Sequence, residues 1–319
     1  MKFLDDLIRK PNVFQRTVGL SLEQFEILER KIGILWDSAE LKRKTHNSRK
    51  RSMGGGRSYK LISMEHKLLA ILLYYKAYFT QEFIGILVGL DQANISRLFS
   101  KIRDLIEEAA DPELKTYLAN ANAEYTKFPP QQRINSLADF FIKYPDFKEI
   151  STDATEQHCH RSQDNEIQKK YYSGKKKMHS LKTQISVSSG GKILDVSDTY
   201  PGSIHDKNII DQEQTVQKIP ETTCQRFDSG YQGIAQKSPR HYIVLPLKKP
   251  RKRELSPLAK DLNRVNSKRR VIVENVLSRL KKFKICKYTF RGPIATYNQI
   301  FRNIAALLNF RLNNKVAAI

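Results

Sequence analysis

Two short runs, Thr183-Gln-Ile-Ser-Val-Ser188 and Ile193-Leu-Asp-Val-Ser197, alternate apolar and polar residues on either side of Ser189-Gly190-Gly191. A period of two places alternate side chains on one face, and a glycine pair between two such runs closes a β-hairpin. The chain must therefore build a sheet. Before Pro129-Pro130 the apolar residues recur instead at helical spacing, and paired prolines resist helix and favour an extended connection. The sequence thus predicts two domains, an all-helical one over 1–128 and a mixed one over 129–319.

In the first domain, Ser21-Leu-Glu-Gln24 has the form of a capping box, and Phe25, Leu28, Ile32 and Leu35 follow at helical spacing. Lys42 to Arg57 is rich in basic residues, contains three glycines and has no apolar face, and it reads as a mobile basic loop. Ser63 opens a helix whose Leu68, Leu69, Ile71, Leu72 and Leu73 demand burial on most sides. Thr80 caps one short helix, Gly89-Leu90 breaks it, and Asp91 caps the next, which describes a helix-turn-helix over 80–103. In that motif the early residues of the second helix, Gln92, Asn94, Ser96 and Arg97, face base edges or phosphates. An ordinary helical hairpin with solvated polar residues is the competing reading.

Charge narrows the partners. The 319 residues hold 56 Lys plus Arg against 33 Asp plus Glu, a formal charge of +23, with a pI near 9.8. A surplus of that size fits a polyanion, and double-stranded DNA fits better than a small acidic metabolite because phosphate neutralisation releases condensed counterions. No apolar run reaches the ~18 residues that span a bilayer, so no membrane partner is expected. Met1 to Lys10 lacks a secretory signal pattern, and Cys159, Cys224 and Cys286 are odd in number and scattered, so free thiols and a cytoplasmic, nucleoid-associated location are expected.

The second domain reads as a short helix from Ser136, a strand from Phe147 to Asp153, the hairpin, a helix from Asp206 to Val216, and strands at Thr222–Phe227 and His241–Leu247. Helices at Ser256–Phe283 and Tyr297–Leu312 complete it. The order β-β-β-α-β-α-β-α is that of an α/β ribonuclease H-like domain, a mixed five-stranded sheet flanked by helices. Two acids fall at strand ends, Asp153 and Asp228, and one on a helix, Glu274. Carboxylates so placed can gather a pair of divalent metal ions, Mg²⁺ or Mn²⁺, for nuclease or strand-transfer chemistry. A solvated surface charge is the ordinary use of any one of them.

Four motifs carry a family resemblance. Asp153-Ala-Thr-Glu156 is similar to an Asp-Gly-Thr-Glu motif, with Ala154 in place of Gly. Pro201-Gly-Ser-Ile-His-Asp206 and Asp228-Ser-Gly-Tyr231 match Pro-Gly-Ser-x-His-Asp and Asp-x-Gly-Tyr. Arg270, Glu274 and Lys281 match Tyr-x2-Arg-x3-Glu-x6-Lys, with Ser267 at the Tyr position. In these the chain resembles the DDE transposases of bacterial insertion sequences, in their Harbinger-like branch, and the resemblance covers most of its length. It implies Asp153, Asp228 and Glu274 as catalytic metal ligands for two divalent ions. It also implies auxiliary roles for His205, Asp206, Tyr231, Arg270 and Lys281, and a homodimer or larger assembly that pairs two DNA ends.

On a helix, Arg270 and Lys281 would share or neighbour the Glu274 face and hold the DNA backbone. Asp206 also suits the N-cap of the following helix. Lys248, Lys249, Arg251, Lys252 and Arg253 form a basic block in a loop, fitted to DNA-backbone contact. His158-Cys159-His160 with Cys224 admits a zinc reading but lacks the usual paired spacing. Three functions stay in competition: a transposase that binds terminal inverted repeats and cuts and rejoins strands, an inactive or domesticated DNA-binding regulator, and a non-transposing ribonuclease H-like nuclease.

Overall fold

The computed structural model describes residues 2–45, 63–129, 133, 136–250 and 254–314. The basic stretch at 46–62, Pro130 and Arg251 to Arg253 lie outside the described residues. The chain divides into two compact units. One comprises residues 1–112, 281–287 and 299–319; the other comprises 113–280 and 288–298.

The first unit begins with helices α1 (Lys2–Ile8), α2 (Pro11–Val18) and α3 (Leu22–Lys44). The capping box at Ser21 is present, with Gln24 N donating to Ser21 Oγ and Ser21 N to Gln24 Oε1. Helix α4 (Met64–Ala77) is buried from Lys67 to Tyr75, as its apolar girth demands. Lys67 is covered too, and its amine lies 4.6 Å from the Trp36 ring centre, so the aromatic face takes part of its charge. Helices α5 (Gln81–Val88) and α6 (Gln92–Ala110) are capped by Thr80 and Asp91 and meet at a turn through left-handed Gly89.

Helix α13 (Tyr297–Asn313) enters this unit from Gln299 onward. Asn303 Nδ2 donates to the Tyr75 hydroxyl and to the Arg103 carbonyl, Arg302 pairs with Glu107 at 2.7 Å, and Asn309 Nδ2 donates to Asp111. The division therefore differs from the expectation that all of 129–319 forms one domain. Four turns of apolar helix serve here as the closing wall of a helical core.

The second unit starts with α7 (Tyr117–Thr126) and α8 (Leu137–Lys143), followed by β1 (Glu149–His158), α9 (Asn165–Tyr171), β2 (Tyr172–Ser173) and β3 (Met178–Ser188). Next come β4 (Ile193–Val196), β5 (Tyr200–Pro201), α10 (Asp206–Glu213), β6 (Cys224–Arg226), α11 (Ile234–Lys237), β7 (Ile243–Val244) and α12 (Pro257–Leu280). The sheet runs β2-β3-β1-β6-β7, with β4 and β5 also on β3. Strands β1, β6 and β7 are parallel, and the pairs with β3 are antiparallel. The five expected strands are present, and β2 and β5 add two short ones beside β3.

Both faces of this mixed sheet are covered. On one, Leu118, Ala121 and Tyr125 of α7 pack with Phe140, Phe147, Ile150, Leu194 and Ile219, which is why α7 belongs with the sheet although it precedes the proline pair. On the other, α12 packs over β1 and β3.

Candidate active site

Parallel pairing sets the geometry. Glu149 lies beside Cys224 and Ser151 beside Arg226, so the same register carried two residues further brings Asp153 level with Asp228. Side chains two apart share a face. Glu149, Arg226, Asp153 and Asp228 therefore point the same way, toward α12. That strand continues to His158, so Asp153 sits within β1, two residues past its last pair with β6.

Helix α12 lays a row of polar groups over these acids. Arg226 Nη1 donates to Asn266, Arg226 Nε and Arg269 Nη1 both donate to Glu149, and Arg270 reaches two carboxylates at once. Arg270 Nη1 lies 3.2 Å from Asp228 Oδ1, and Nη2 lies 3.7 Å from Asp153 Oδ2. Arg270 is buried, with a side chain only 8% exposed. Its part is thus to bridge the two aspartates from within, instead of the outward DNA-backbone contact expected for it. Burial, with Arg226 and Arg269 overriding it, leaves Glu149 below the usual carboxylate range.

Asp153 behaves oppositely. Burial pushes its carboxyl up to about 6, the neighbouring charges of Asp228 and Asp206 add to the rise, and the Ala154 amide and Arg270 only partly offset it. Carboxylates crowded in a poorly hydrated place hold a proton or a cation strongly.

Asp206 joins the same neighbourhood from α10. His205 is the N-cap, its ring nitrogen accepting from Lys207 N, so Asp206 falls in the first turn and is not the cap. Its carboxylate is held by Lys182 Nζ at 2.9 Å, and the same buried amine donates to the Ile204 carbonyl and lies 3.6 Å from Glu156. Lys182 was not visible as a site residue from sequence. The available signal was a lone cation inside a strand that is otherwise uncharged from Leu181 to Ser188. Gly202 explains its own motif: a Cβ there would stand 2.1 Å from Ser180 Oγ, which itself donates to Glu156.

Residues 152–309 match the DDE superfamily endonuclease family, and residues 59–112 match the helix-turn-helix of DDE superfamily endonucleases. The chain belongs to the DDE superfamily endonucleases. It is 28% identical over 258 residues to a "Probable transposase for insertion sequence element IS702" of Microchaete diplosiphon, covering 81% of this chain and 83% of that one. No solved structure matches.

In this DDE superfamily endonuclease the remaining expected residues are placed as follows. Glu274 is exposed on α12, one turn beyond Arg270. Lys281 lies past the end of α12 and within the helical unit, so helical spacing does not carry from Glu274 to it. Tyr231 is buried at the end of the single turn that Asp228 opens, packed with Ile210, Val216, Phe227 and Ile234. Lys248 and Lys249 are exposed, and Lys249 pairs with Glu254 at 3.0 Å.

The zinc reading of the His158 cluster is corrected by the register: Cys224 lies opposite Glu149, nine residues of strand from His158, roughly 30 Å at ~3.3 Å per residue. His158 instead meets the Thr289 hydroxyl. All three cysteines are free and buried.

The donor set of Asp153 and Asp228 is made of carboxylate oxygens, which suits a hard divalent cation and excludes a thiol-seeking one. Among the described residues no three His, Cys, Asp or Glu side chains stand close enough to form a finished cage. Two acids are gathered, and Arg270 supplies the positive charge between them.

In the helical unit, Gln92, Asn94, Ser96 and Arg97 are all exposed at the start of α6, while Ile95 and Phe99 anchor it. Asn94 is tied to the Asp91 cap and accepts from Arg97, and Gln92 donates to Gln81. Gly85 allows the tight turn: a Cβ there would meet the Leu90 carbonyl oxygen at 2.4 Å. Among the described residues no helix is long and apolar enough to cross a membrane.

Proposed function

We propose that this chain is the transposase of an insertion sequence, binding the terminal inverted repeats of its element through α5 and α6 and cutting and rejoining DNA strands at Asp153, Asp228 and Glu274. The observation that carries the proposal is the pair of aspartates, Asp153 within β1 and Asp228 just past the end of the parallel strand β6, both held by Arg270 of the helix that also bears Glu274.

Asp153, Asp228 and Glu274 are the residues that would hold two Mg²⁺ or Mn²⁺ ions. When bound, such ions activate a water or a 3′-hydroxyl and neutralise charge on the leaving oxygen. The chain's own groups prepare the place. Strand β1 and the turn after β6 bring the two aspartates to one side, Arg270 bridges them, and Lys182 restrains Asp206. The surplus of basic residues favours the DNA backbone, and an open cleft of about 630 Å³ bordered by Lys148, Lys268 and Arg269 extends that surface at the start of β1. Two copies of the chain, one on each end of the element, are the assembly this chemistry calls for.

Cleavage of labelled element ends in Mg²⁺ or Mn²⁺ tests the proposal. Wild type is expected to cut, and Asp153→Ala, Asp228→Ala and Glu274→Ala to lose at least about 100-fold in rate. Undiminished cutting by the three variants overturns it. Tight binding of the ends without any cutting by wild type points to a DNA-binding regulator instead.

A further inference from the structure

The turn between β2 and β3 carries charge that the fold does not use. From His160 to His179, through α9 and the hairpin that follows it, the chain holds six Lys and Arg against two acids, Asp164 and Glu166. Both acids are engaged at α9, where Asp164 caps the helix and Glu166 pairs with Lys169 at 2.9 Å. Lys170, Lys175, Lys176 and Lys177 are all exposed. Among the described residues the only carboxylate within 4 Å of these four amines is Asp206, 3.8 Å from Lys175 Nζ.

The backbone under this charge is fixed. Lys177 N donates to the Ser173 carbonyl at 2.7 Å, Lys176 N donates to Ser173 Oγ, and Lys177 takes a φ of 55°. A left-handed backbone crowds a Cβ, so glycine is the residue of least strain at that position. A lysine there, with no acid to pair with, is not explained by folding.

Pro201-Gly202-Ser203 braces the same arm. Gly202 N donates to the Ser180 carbonyl at 2.8 Å, Ser203 Oγ donates to the Lys170 carbonyl at 2.6 Å, and a Cβ at Gly202 would stand 3.0 Å from the Tyr171 carbonyl oxygen. Three residues on, this loop delivers Asp206, whose other oxygen is held by Lys182 of β3. Asp206 Oδ2 in turn would lie 3.9 Å from a Cβ at Gly230, in the turn that Asp228 opens. The lysine turn is therefore anchored at the edge of the acidic site.

An anionic strand that approaches a group of carboxylates is repelled by them, and fixed cations at their edge offset that repulsion. We propose that Lys175, Lys176 and Lys177 form a docking site for the phosphate backbone of duplex DNA on the second unit, in addition to the contact made by α5 and α6. The proposal rests on the reading that this unit acts on DNA, and it names the segment that holds the duplex. Phosphates are alike along any duplex, so this contact positions DNA without reading its sequence.

The test is gel-shift binding by the full chain in Ca²⁺, from about 50 to 200 mM salt, of a labelled element end and of an unrelated duplex of equal length. Lys175→Ala/Lys176→Ala/Lys177→Gly is compared with wild type and with a control that removes three exposed lysines elsewhere, Lys10→Ala/Lys127→Ala/Lys237→Ala. Each phosphate contact adds ~0.9 to the steepness of log affinity against log salt, so the slope should become shallower by roughly 2 to 3. Affinity should fall roughly 10- to 100-fold on both duplexes alike, against less than about threefold for the control. The melting temperature should hold or rise, because glycine relieves the left-handed position. A slope change no larger than the control's overturns the proposal. So does a lower melting temperature, which would make the turn structural, or a loss confined to the element end, which would mean base reading. Cutting in Mg²⁺ separates the proposal from the strand-cutting reading. If wild type cuts and the variant binds as wild type does, that reading stands and this proposal falls. If the slope drops as expected although wild type never cuts, the reading falls and this proposal stands. Failure of wild type to bind either duplex sinks both.

Discussion

A guanidinium enclosed between two carboxylates stabilises a fold only while both partners remain. Arg270 satisfies Asp153 and Asp228, and its removal would leave two anions facing each other in a site that already forces Asp153 up to about 6. Because the Asp228 side chain is 45% exposed, water would soften the loss, which we expect at about 1–3 kcal/mol for Arg270→Met, below the figure for a fully buried pair. Melting curves in EDTA should show the drop, and millimolar Mg²⁺ should recover most of it. An unchanged melting temperature in EDTA would rule out the bridge.

Lys76 offers a pH test in the helical unit. Burial, then the charges of Arg311, Lys282 and Lys284, lower its amine from 10.5 to about 8, and it lies 4.8 Å from the Phe283 ring centre. Between these two values the unfolded chain binds more protons than the folded one, so this residue makes stability rise as pH climbs from 8 to 10.5. Lys76→Met should therefore melt above wild type at pH 7, with the gap narrowing across that window. A gap constant with pH would contradict the assignment.

At the scale of elements, the helix-turn-helix depends on one close approach. Leu90 N donates to the Gly85 carbonyl, and the chain doubles back so tightly that an added methyl at Gly85 meets backbone oxygen. Gly85→Ala should cost about 2 kcal/mol or more, since backbone cannot rotate away as a side chain can. Circular dichroism melts would register it, and a variant as stable as wild type would mean that the turn is looser than described. The sequence made the two helices legible through Thr80 and Asp91, whose side chains cap locally, and through Gly89 with its positive φ. Gly85 was not legible, because nothing within a few residues of it signals a contact made around a turn.

Strands show the same contrast. The hairpin around Gly190 and Gly191 was readable because alternation and turn chemistry are local. Strand β1 was read five residues short, since Ala154-Thr-Glu-Gln-His has little apolar content and becomes strand through its pairing with β3. Lys182 was hidden because its counter-ions, Asp206 and Glu156, are supplied by an adjoining strand and a distant helix.

For the molecule as a whole, the two units are discontinuous in sequence. The helical one includes residues 281–287 and 299–319. A fragment ending at Pro112 would lack Ile300, Phe301, Ile304, Leu307 and Phe310, all buried, and the partners of Tyr75, Glu107 and Asp111. Each large side chain is worth about 1.5–3 kcal/mol of burial, so we expect residues 1–112 alone to lack a cooperative unfolding transition. A separately supplied peptide covering α13 should restore part of it. A sharp thermal transition in the fragment alone would refute this.

The sequence by itself determined the helical first half, the sheet in the second, the polyanion-seeking charge, and the motifs that contain Asp153, Asp228 and Glu274. Each of these follows from spacing, composition or a cap within reach of a few residues. Only the tertiary structure decided that Arg270 turns inward to bridge two aspartates, that Lys182 restrains Asp206, and that the last helix closes the first unit. Those facts depend on strand register and helix packing, which bring together charges 24 to 117 positions apart in the chain through contacts that no local pattern encodes.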